Sequence, residues 1–261
     1  MPIITDSVFI KGSSHHICQD YAIHGDNHAI GSDGCSSSPH TDVGSRILCN
    51  TLSEKLKECG ANTEVLRYAA YDAALCADKL GLPNECLDAT LFGFHILEGQ
   101  VISFISGDGY IYKRFRAGGK LSEELRAISF EPNMPFYPNY YTNLRRLKSH
   151  NETGVKATLK VDYPSSDLPS FSHTWEADEF CRYESDALGD LELLLMFSDG
   201  LGTFQLDKKD IEVNKVLESL TNIKSYSPGF LQRKVINGMK KDFVGTLTHW
   251  DDFSVVGLIN V

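Results

Sequence analysis

Residues 89–115 read ATLFGFHILEGQVISFISGDGYIYKRF. Three runs rich in aromatic and β-branched side chains, Ala89–Leu97, Val101–Ser106 and Tyr110–Phe115, are separated by Glu98-Gly99 and by Gly107-Asp108-Gly109. Each run has the length of a strand, and the gaps hold the residues that turns require. Gaps this short join antiparallel neighbours, because a parallel pair needs a crossover of roughly a dozen residues or more. The stretch predicts an antiparallel meander of three strands.

Upstream of it the period changes. Val43, Ile47, Leu48, Leu52, Leu56 and Cys59 recur at helical spacing, with Thr41 or Asp42 placed to cap the start and Gly60 to stop the helix. A second helix follows, with Val65, Ala69, Asp72, Ala73, Cys76 and Leu80 on one face and Gly81 and Pro83 beyond its end. Ahead of this helical hairpin, the short runs Ser7–Ile10, Tyr21–Ile23 and His28–Ser32, bounded by Gly, Asp and Asn, read as strands. Downstream, Leu191–Phe197 is apolar at nearly every position, as a strand covered on both faces would be. Helical patterns at Val213–Leu220 and Phe230–Phe243 precede a closing strand, Phe253–Ile259. Residues 118–188 carry Pro132, Pro135, Pro138, Pro164 and Pro169 with Phe136, Tyr137, Tyr140 and Tyr141, and show no clear period. Irregular or short structure is expected there. Helices segregated from hairpin-linked strands predict an α+β fold with antiparallel sheets. No repeat or flexible linker divides the chain, so residues 1–261 form one domain on this reading.

The chain has 261 residues, 42% of them apolar, enough to build a core, and a net charge of −10. Nucleic-acid binding by bulk attraction needs clustered Lys and Arg, which an acidic protein of this kind does not offer. No apolar run approaches the ~20 residues of a membrane helix, and no basic-then-apolar leader pattern opens the sequence, so a cytoplasmic protein without nucleic-acid or membrane partners is expected. The seven cysteines, in odd number and without a CxxC pair, are expected to be free thiols, with Cys59 and Cys76 as small buried apolar groups on their helices.

The informative chemistry lies at strand ends. Asp33 follows Ala29-Ile30-Gly31-Ser32, Asp108 follows Phe104-Ile105-Ser106-Gly107, Asp199 follows Leu194–Ser198, and Asp251 stands just before Phe253–Ile259. Any single Asp-Gly reads equally well as a hairpin turn. Carboxylates that converged would repel and take up protons unless cations sat among them, and hard oxygen donors select Mg²⁺, Mn²⁺ or Ca²⁺ over zinc. Neither GxSxG, GxGxxG nor GxxxxGK[ST] occurs, which removes the serine-hydrolase and nucleotide-binding readings.

In order along the chain, Gln19-Asp20, Ala29-Ile30-Gly31-Ser32-Asp33-Gly34, Asp88-Ala89-Thr90-Leu91, Gly107-Asp108-Gly109, Leu194-Leu195-Met196-Phe197-Ser198-Asp199-Gly200-Leu201 and Asp251-Asp252-Phe253-Ser254-Val255 resemble the successive motifs of the metal-dependent PPM, or PP2C-type, serine/threonine phosphatases. The resemblance implies two packed antiparallel β-sheets flanked by α-helices, with a binuclear Mn²⁺ or Mg²⁺ centre between the sheets. It also implies a phosphorylated protein as substrate and an opposing kinase as a further partner. On it, Asp33 bridges both ions, the Gly34 carbonyl binds one, and Asp199 and Asp251 complete the other shell. Asp108 with Asp199 would take a third ion, Asp20 would hold water beside the ions, and Asp252 would orient Asp251. Residues 118–188 fall where the family carries a variable flap. His15 stands where members commonly place an Arg that clamps the substrate phosphate, and an imidazole lacks the guanidinium fork. Lys11 or Arg46 is a candidate for the missing charge. Gln19, Cys35 and Asp88 are further departures. A catalytically weak binding module and a phosphatase of small metabolites are the competing readings of the same motifs.

Overall fold

The computed structural model describes residues 3–62, 64–166, 168–176 and 182–260. Chain order begins β1 (Ile3–Ile10), β2 (Tyr21–His24), β3 (His28–Ser32), α1 (Thr41–Cys59), α2 (Val65–Lys79), β4 (Leu91–Leu97), β5 (Gln100–Ser106) and β6 (Gly109–Ala117). It continues through β7 (Lys120–Glu131), α3 (Leu144–Thr153), β8 (Lys156–Asp162), β9 (Phe171–Glu176), β10 (Arg182–Ala187), β11 (Leu191–Phe197), β12 (Phe204–Leu206) and β13 (Lys209–Asp210). Last come α4 (Val213–Thr221), α5 (Phe230–Arg233), α6 (Met239–Asp242), β14 (Leu247–His249) and β15 (Phe253–Asn260). The strands form a seven-stranded sheet in the order β1-β15-β11-β6-β7-β8-β9, a five-stranded sheet β10-β5-β4-β3-β2, and a small sheet β13-β12-β14.

Three apolar layers hold the two large sheets and their helices together. Phe92, Phe94 and Ile105 of the five-stranded sheet meet Ile111, Met196, Val256 and Leu258 of the seven-stranded one. On the outer face of the five-stranded sheet, Ile30 and Phe104 pack against Leu48, Leu52, Ala69 and Ala73 of α1 and α2. On the far side, Leu195, Phe197 and Val255 are covered by Val216, Leu220, Phe230, Leu231 and Met239. This explains why Leu191–Phe197 and Phe253–Ile259 carry apolar residues at successive positions: both of their faces are covered. The expected sandwich of antiparallel sheets between helices is observed.

The opening stretch is not a meander in one sheet. β4 and β5 pair as a hairpin, but β6 crosses to the other sheet and lies between β11 and β7. The Gly107-Asp108-Gly109 link is therefore a change of sheet. Gly107 and Gly109 have φ of 100° and 140°, and a Cβ on Gly109 would stand 2.5 Å from the Phe197 carbonyl oxygen. Only glycine fits that approach. A turn-forming tripeptide looks the same in sequence whether the next strand folds back or turns onto the facing layer.

Residues 118–188 also differ from expectation. They supply β7, β8 and β9 to the seven-stranded sheet, β10 to the five-stranded sheet, and α3. The prolines fall in the connections, Pro132, Pro135 and Pro138 after β7 and Pro164 and Pro169 between β8 and β9, and so punctuate the strands without breaking them. Phe136, Tyr137 and Tyr140 form a small separate core with Leu147, Phe130 and Cys35.

Two smaller expectations are corrected. The residue before α1 is His40, held left-handed at φ 58° with no side-chain cap, so neither Thr41 nor Asp42 caps the helix; Gly60 does close it, its N–H donating to the Leu56 carbonyl. Cys59 and Cys76 are exposed, because the buried stripe of α1 ends at Leu56 and that of α2 runs through Val65, Leu66, Ala69, Ala70, Ala73 and Ala77, while Cys49 and Cys86 are the buried thiols. Six cysteines are free, and Cys181 lies outside the described residues. Among the described residues no helix is long and apolar enough to cross a membrane.

Candidate metal centre

The acids singled out by the sequence leave strand ends of both large sheets. Asp33 follows β3 and is pinned through its backbone: its N–H donates to Thr90 Oγ1 at 3.0 Å, and its carbonyl accepts the Thr90 N–H at 2.8 Å. Gly34 bridges to Ala89, and the Cys35 N–H donates to the Asp88 carbonyl at 2.9 Å. The Asp33-Gly34 backbone thus continues the sheet beyond β3. Asp199 opens a 3-10 turn after β11, and a Cβ on Gly200 would meet the Asp252 carbonyl oxygen at 1.9 Å, so the 199–201 turn and the 251–252 segment touch backbone to backbone.

Asp20, fully buried, is fixed by the Ser254 hydroxyl, which donates to its Oδ2 at 2.7 Å. Its Oδ1 is buried with no donor. Burial, first of all, pushes the Asp20 carboxyl up to about 7, against hydrogen bonds with Ser254, with a protonated Asp33 and with Ser198 that favour its ionised form; once Asp33 is ionised, only the hydroxyls remain as donors. Asp33 is raised well above the carboxylate range by burial and then by the charges of Asp20, Asp199 and Asp108. Burial followed by Asp199 and Asp251 pushes Asp108 up to about 7, while Asp199 and Asp251 are themselves raised. Five acids distant in sequence therefore feel one another in space.

Among the described residues, no three or more His, Cys, Asp or Glu side chains stand as a ready-made metal cage. The electrostatics carry the test of fit. The converging donors are all hard oxygens, they repel one another, and Asp20 keeps an unsatisfied buried oxygen. Divalent Mg²⁺ or Mn²⁺ satisfies that donor chemistry, whereas zinc prefers nitrogen and sulfur.

His15 reaches the same place from the loop after β1. Its Nδ1 lies 2.9 Å from Asp252 Oδ2 and its Nε2 3.3 Å from Asp251 Oδ1. Burial lowers its affinity for a proton, but the hydrogen bond to Asp252 and the charges of Asp252, Asp251 and Asp20 outweigh this and raise it above the ordinary histidine value. Both ring nitrogens thus face carboxylates. Asp252 is a buried anchor that also accepts the Gly12 N–H at 2.7 Å and the Gln19 N–H at 2.6 Å, and its own N–H donates to Asp251 Oδ1 at 2.9 Å. It ties the 12–19 loop to Asp251.

The other candidate cations are engaged. Lys11 Nζ donates to the His15 and Gly12 carbonyls at 2.5 and 3.3 Å, and the Arg46 guanidinium lies over the Tyr21 and Phe9 rings at 5.1 and 5.9 Å. Tyr137, from the segment the sequence left unread, comes close to Cys35; burial first, then Cys35, Asp108 and Asp33, push its phenol upward. No signal in its proline-rich surroundings pointed to it. Ser254 could have been found, since it lies within the Asp251-Asp252-Phe253-Ser254 motif.

Residues 12–234 match the family model of protein phosphatase 2C, and the chain belongs to that family. Its fold is that of solved PPM phosphatases. MsPP of Mycobacterium smegmatis, solved with cacodylate, is 14% identical with a TM-score of 0.54 over 98% of each chain. Stp1 of Staphylococcus aureus is 11% identical at a TM-score of 0.54, covering 98% of this chain and 94% of that one. The PstP catalytic domain in complex with two manganese ions is 13% identical at a TM-score of 0.50, over 98% and 97%. No curated protein sequence matches the chain.

Proposed function

We propose that this chain is a metal-dependent phosphatase of phosphoserine and phosphothreonine in proteins, working with two Mn²⁺ or Mg²⁺ ions and opposing a kinase in the cytoplasm. The observation that carries the reading is the mutual electrostatic coupling of Asp33, Asp199, Asp251 and Asp108 around a buried Asp20 with one unsatisfied oxygen. It is supported by family membership and by the two manganese ions of the PstP domain.

Asp33, Asp199, Asp251 and the Gly34 carbonyl would hold the two ions, and Asp108 with Asp199 a third. Such ions, when bound, supply electrostatic stabilisation of phosphoryl oxygens and acidify water toward neutral pH. Asp20 Oδ1, with Oδ2 fixed by Ser254, accepts a hydrogen from the attacking water and orients it. His15 and Asp252 keep Asp251 aimed inward. A covalent phospho-enzyme has no role in this scheme.

One observation favours the weaker reading, a binding module with little turnover: His15 is spent on Asp251 and Asp252 and offers no free positive edge. Hydrolysis of an aryl phosphate and of a phosphothreonine peptide, with Mn²⁺, Mg²⁺ or EDTA, separates the readings. Metal-dependent turnover of both by the wild type and of neither by Asp33→Asn is expected. Turnover of neither by the wild type supports the binding module, and turnover of the aryl phosphate alone leaves small metabolites as the substrate class.

A further inference from the structure

A phosphorylated substrate would bring negative charge to converging acids, and Lys11 and Arg46 are committed elsewhere. The segment after β7 offers another cation. Asp88 is buried at 1% exposure, and its carboxylate is gripped by three side chains. Ser38 Oγ donates to Oδ2 at 2.7 Å, Asn139 Nδ2 to Oδ1 at 2.9 Å, and Arg146 Nη2 to Oδ2 at 2.5 Å. A buried carboxylate is costly unless paired in this way. The Asp88 backbone carbonyl in turn receives the Cys35 N–H, two residues past Asp33. Asp88 therefore fastens the α3 segment to the loop that leaves the candidate metal centre.

Arg146 is the exposed member of this cluster. Its side chain is 35% exposed against 2% for Asp88. Its backbone N–H is capped by Asn143 Oδ1, and its Nη2 is shared between Asp88 and Ser38 Oγ at 3.4 Å. Among the described residues its Nε and Nη1 hydrogens have no partner, so the guanidinium keeps donors for a second oxyanion.

We propose that Arg146 binds an oxyanion of the phosphorylated substrate beside the 35–38 loop, and that Asp88 is the positioning residue that holds it there. This rests on the phosphatase reading. The oxyanion is either the phosphoryl group itself or a carboxylate flanking the phosphorylated residue, and the two substrates of the test tell these apart.

The wild type, Arg146→Ala, Arg146→Lys and Asp88→Asn are compared with Mn²⁺ present. The readouts are kcat and KM for an aryl phosphate and for an acid-flanked phosphothreonine peptide, inhibition by inorganic phosphate, and thermal stability. Losing one charge-assisted contact predicts a KM raised about ten-fold or more for Arg146→Ala, with kcat little changed. Lys restores only part of this, since it lacks the fork, and Asp88→Asn raises KM in the same direction. A rise for both substrates, with weaker phosphate inhibition, identifies the phosphoryl group; a rise for the peptide alone identifies the flanking carboxylate. Unchanged KM for both substrates in Arg146→Ala overturns the proposal. If that variant fails to fold, wild-type KM values in both Arg146→Lys and Asp88→Asn overturn it instead. Calorimetric titration of the same variants with the peptide and with phosphate makes the comparison without turnover, so a wild type that hydrolyses nothing counts against the phosphatase reading alone.

Discussion

Lys113 on β6 crosses from the seven-stranded sheet to two acids on β10 of the five-stranded sheet. Its Nζ lies 2.8 Å from Glu184 and 2.6 Å from Asp186, with Lys113 1% exposed and each acid 19% exposed. Burial depresses its affinity for a proton, and hydrogen bonding to Asp186 opposes that. Replacing Lys113 by Met removes two charge-assisted hydrogen bonds and leaves two carboxylates facing each other. Breaking a buried ion pair from one side costs about 3–5 kcal/mol. Partial solvation of the acids and the Arg126 pair to Glu184 put this case near the lower end, about 3 kcal/mol. At roughly 2–4 °C per kcal/mol for a chain of this size, the melting temperature should fall by about 6–12 °C. Thermal and urea unfolding followed by circular dichroism measure it. Because apolar replacement of a whole buried pair is often neutral, Lys113→Met with Asp186→Leu should regain most of the loss. A Lys113→Met protein within 1 kcal/mol of wild type, or a double variant less stable than the single one, would falsify the account.

Other outcomes follow from the carboxylate cluster and its supports. Asp20 and Asp108 have folded-state values pushed up to about 7, above their unfolded values, so the protonated form is favoured by folding. In EDTA, the contribution of these two groups should be greatest below their unfolded value and be lost as pH rises toward 7, with Mn²⁺ flattening the loss; urea midpoints that stay level between pH 5 and 8 without metal would contradict this. His15→Ala frees Asp251 and leaves Asp252 short of one donor, so Mn²⁺ affinity measured by calorimetry should drop several-fold while the fold persists. Gly109→Ala places a Cβ against the Phe197 carbonyl at a φ of 140°, and should lower the urea midpoint and reduce turnover by displacing Asp108.

Strong local signals translated directly into structure. His28–Ser32 is a strand with the bounds its sequence shows, Leu191–Phe197 is one covered on both faces, and Gly60 ends α1. What failed was information the chain does not hold locally. Gly107-Asp108-Gly109 marks a reversal but does not say which sheet receives β6. Strands β7 and β9 carry exposed polar residues and alternate weakly, whereas β8 alternates cleanly, with Ala157, Leu159 and Val161 buried, but is too short to stand out among the prolines around it. The buried stripe of α2 runs through alanines rather than through the larger Cys76 and Leu80, which stay exposed. At the candidate site, the acids were legible because Asp at strand ends is a short-range pattern. From sequence His15 reads as a catalytic residue facing the substrate phosphate in place of an Arg; its grip on Asp251 and Asp252 instead spans more than 230 positions and depends on the closing strand lying beside the first. Asp88 is visible as a departure from the motif, but its partner Arg146 lies 58 positions away in a segment without clear periodicity.

The sheet change at Asp108 has a mechanical corollary. Asp33 hangs from one slab of the sandwich, Asp199 and Asp251 from the other, and the 107–109 link is the ligature between them. On the proposed function, an ion gripped by these acids would rivet both slabs, and its removal would loosen that rim. Amide exchange at the ends of β3 and β11 should quicken together when the rivet is withdrawn, while the middle of β6, tied to β10 through Lys113, should change less.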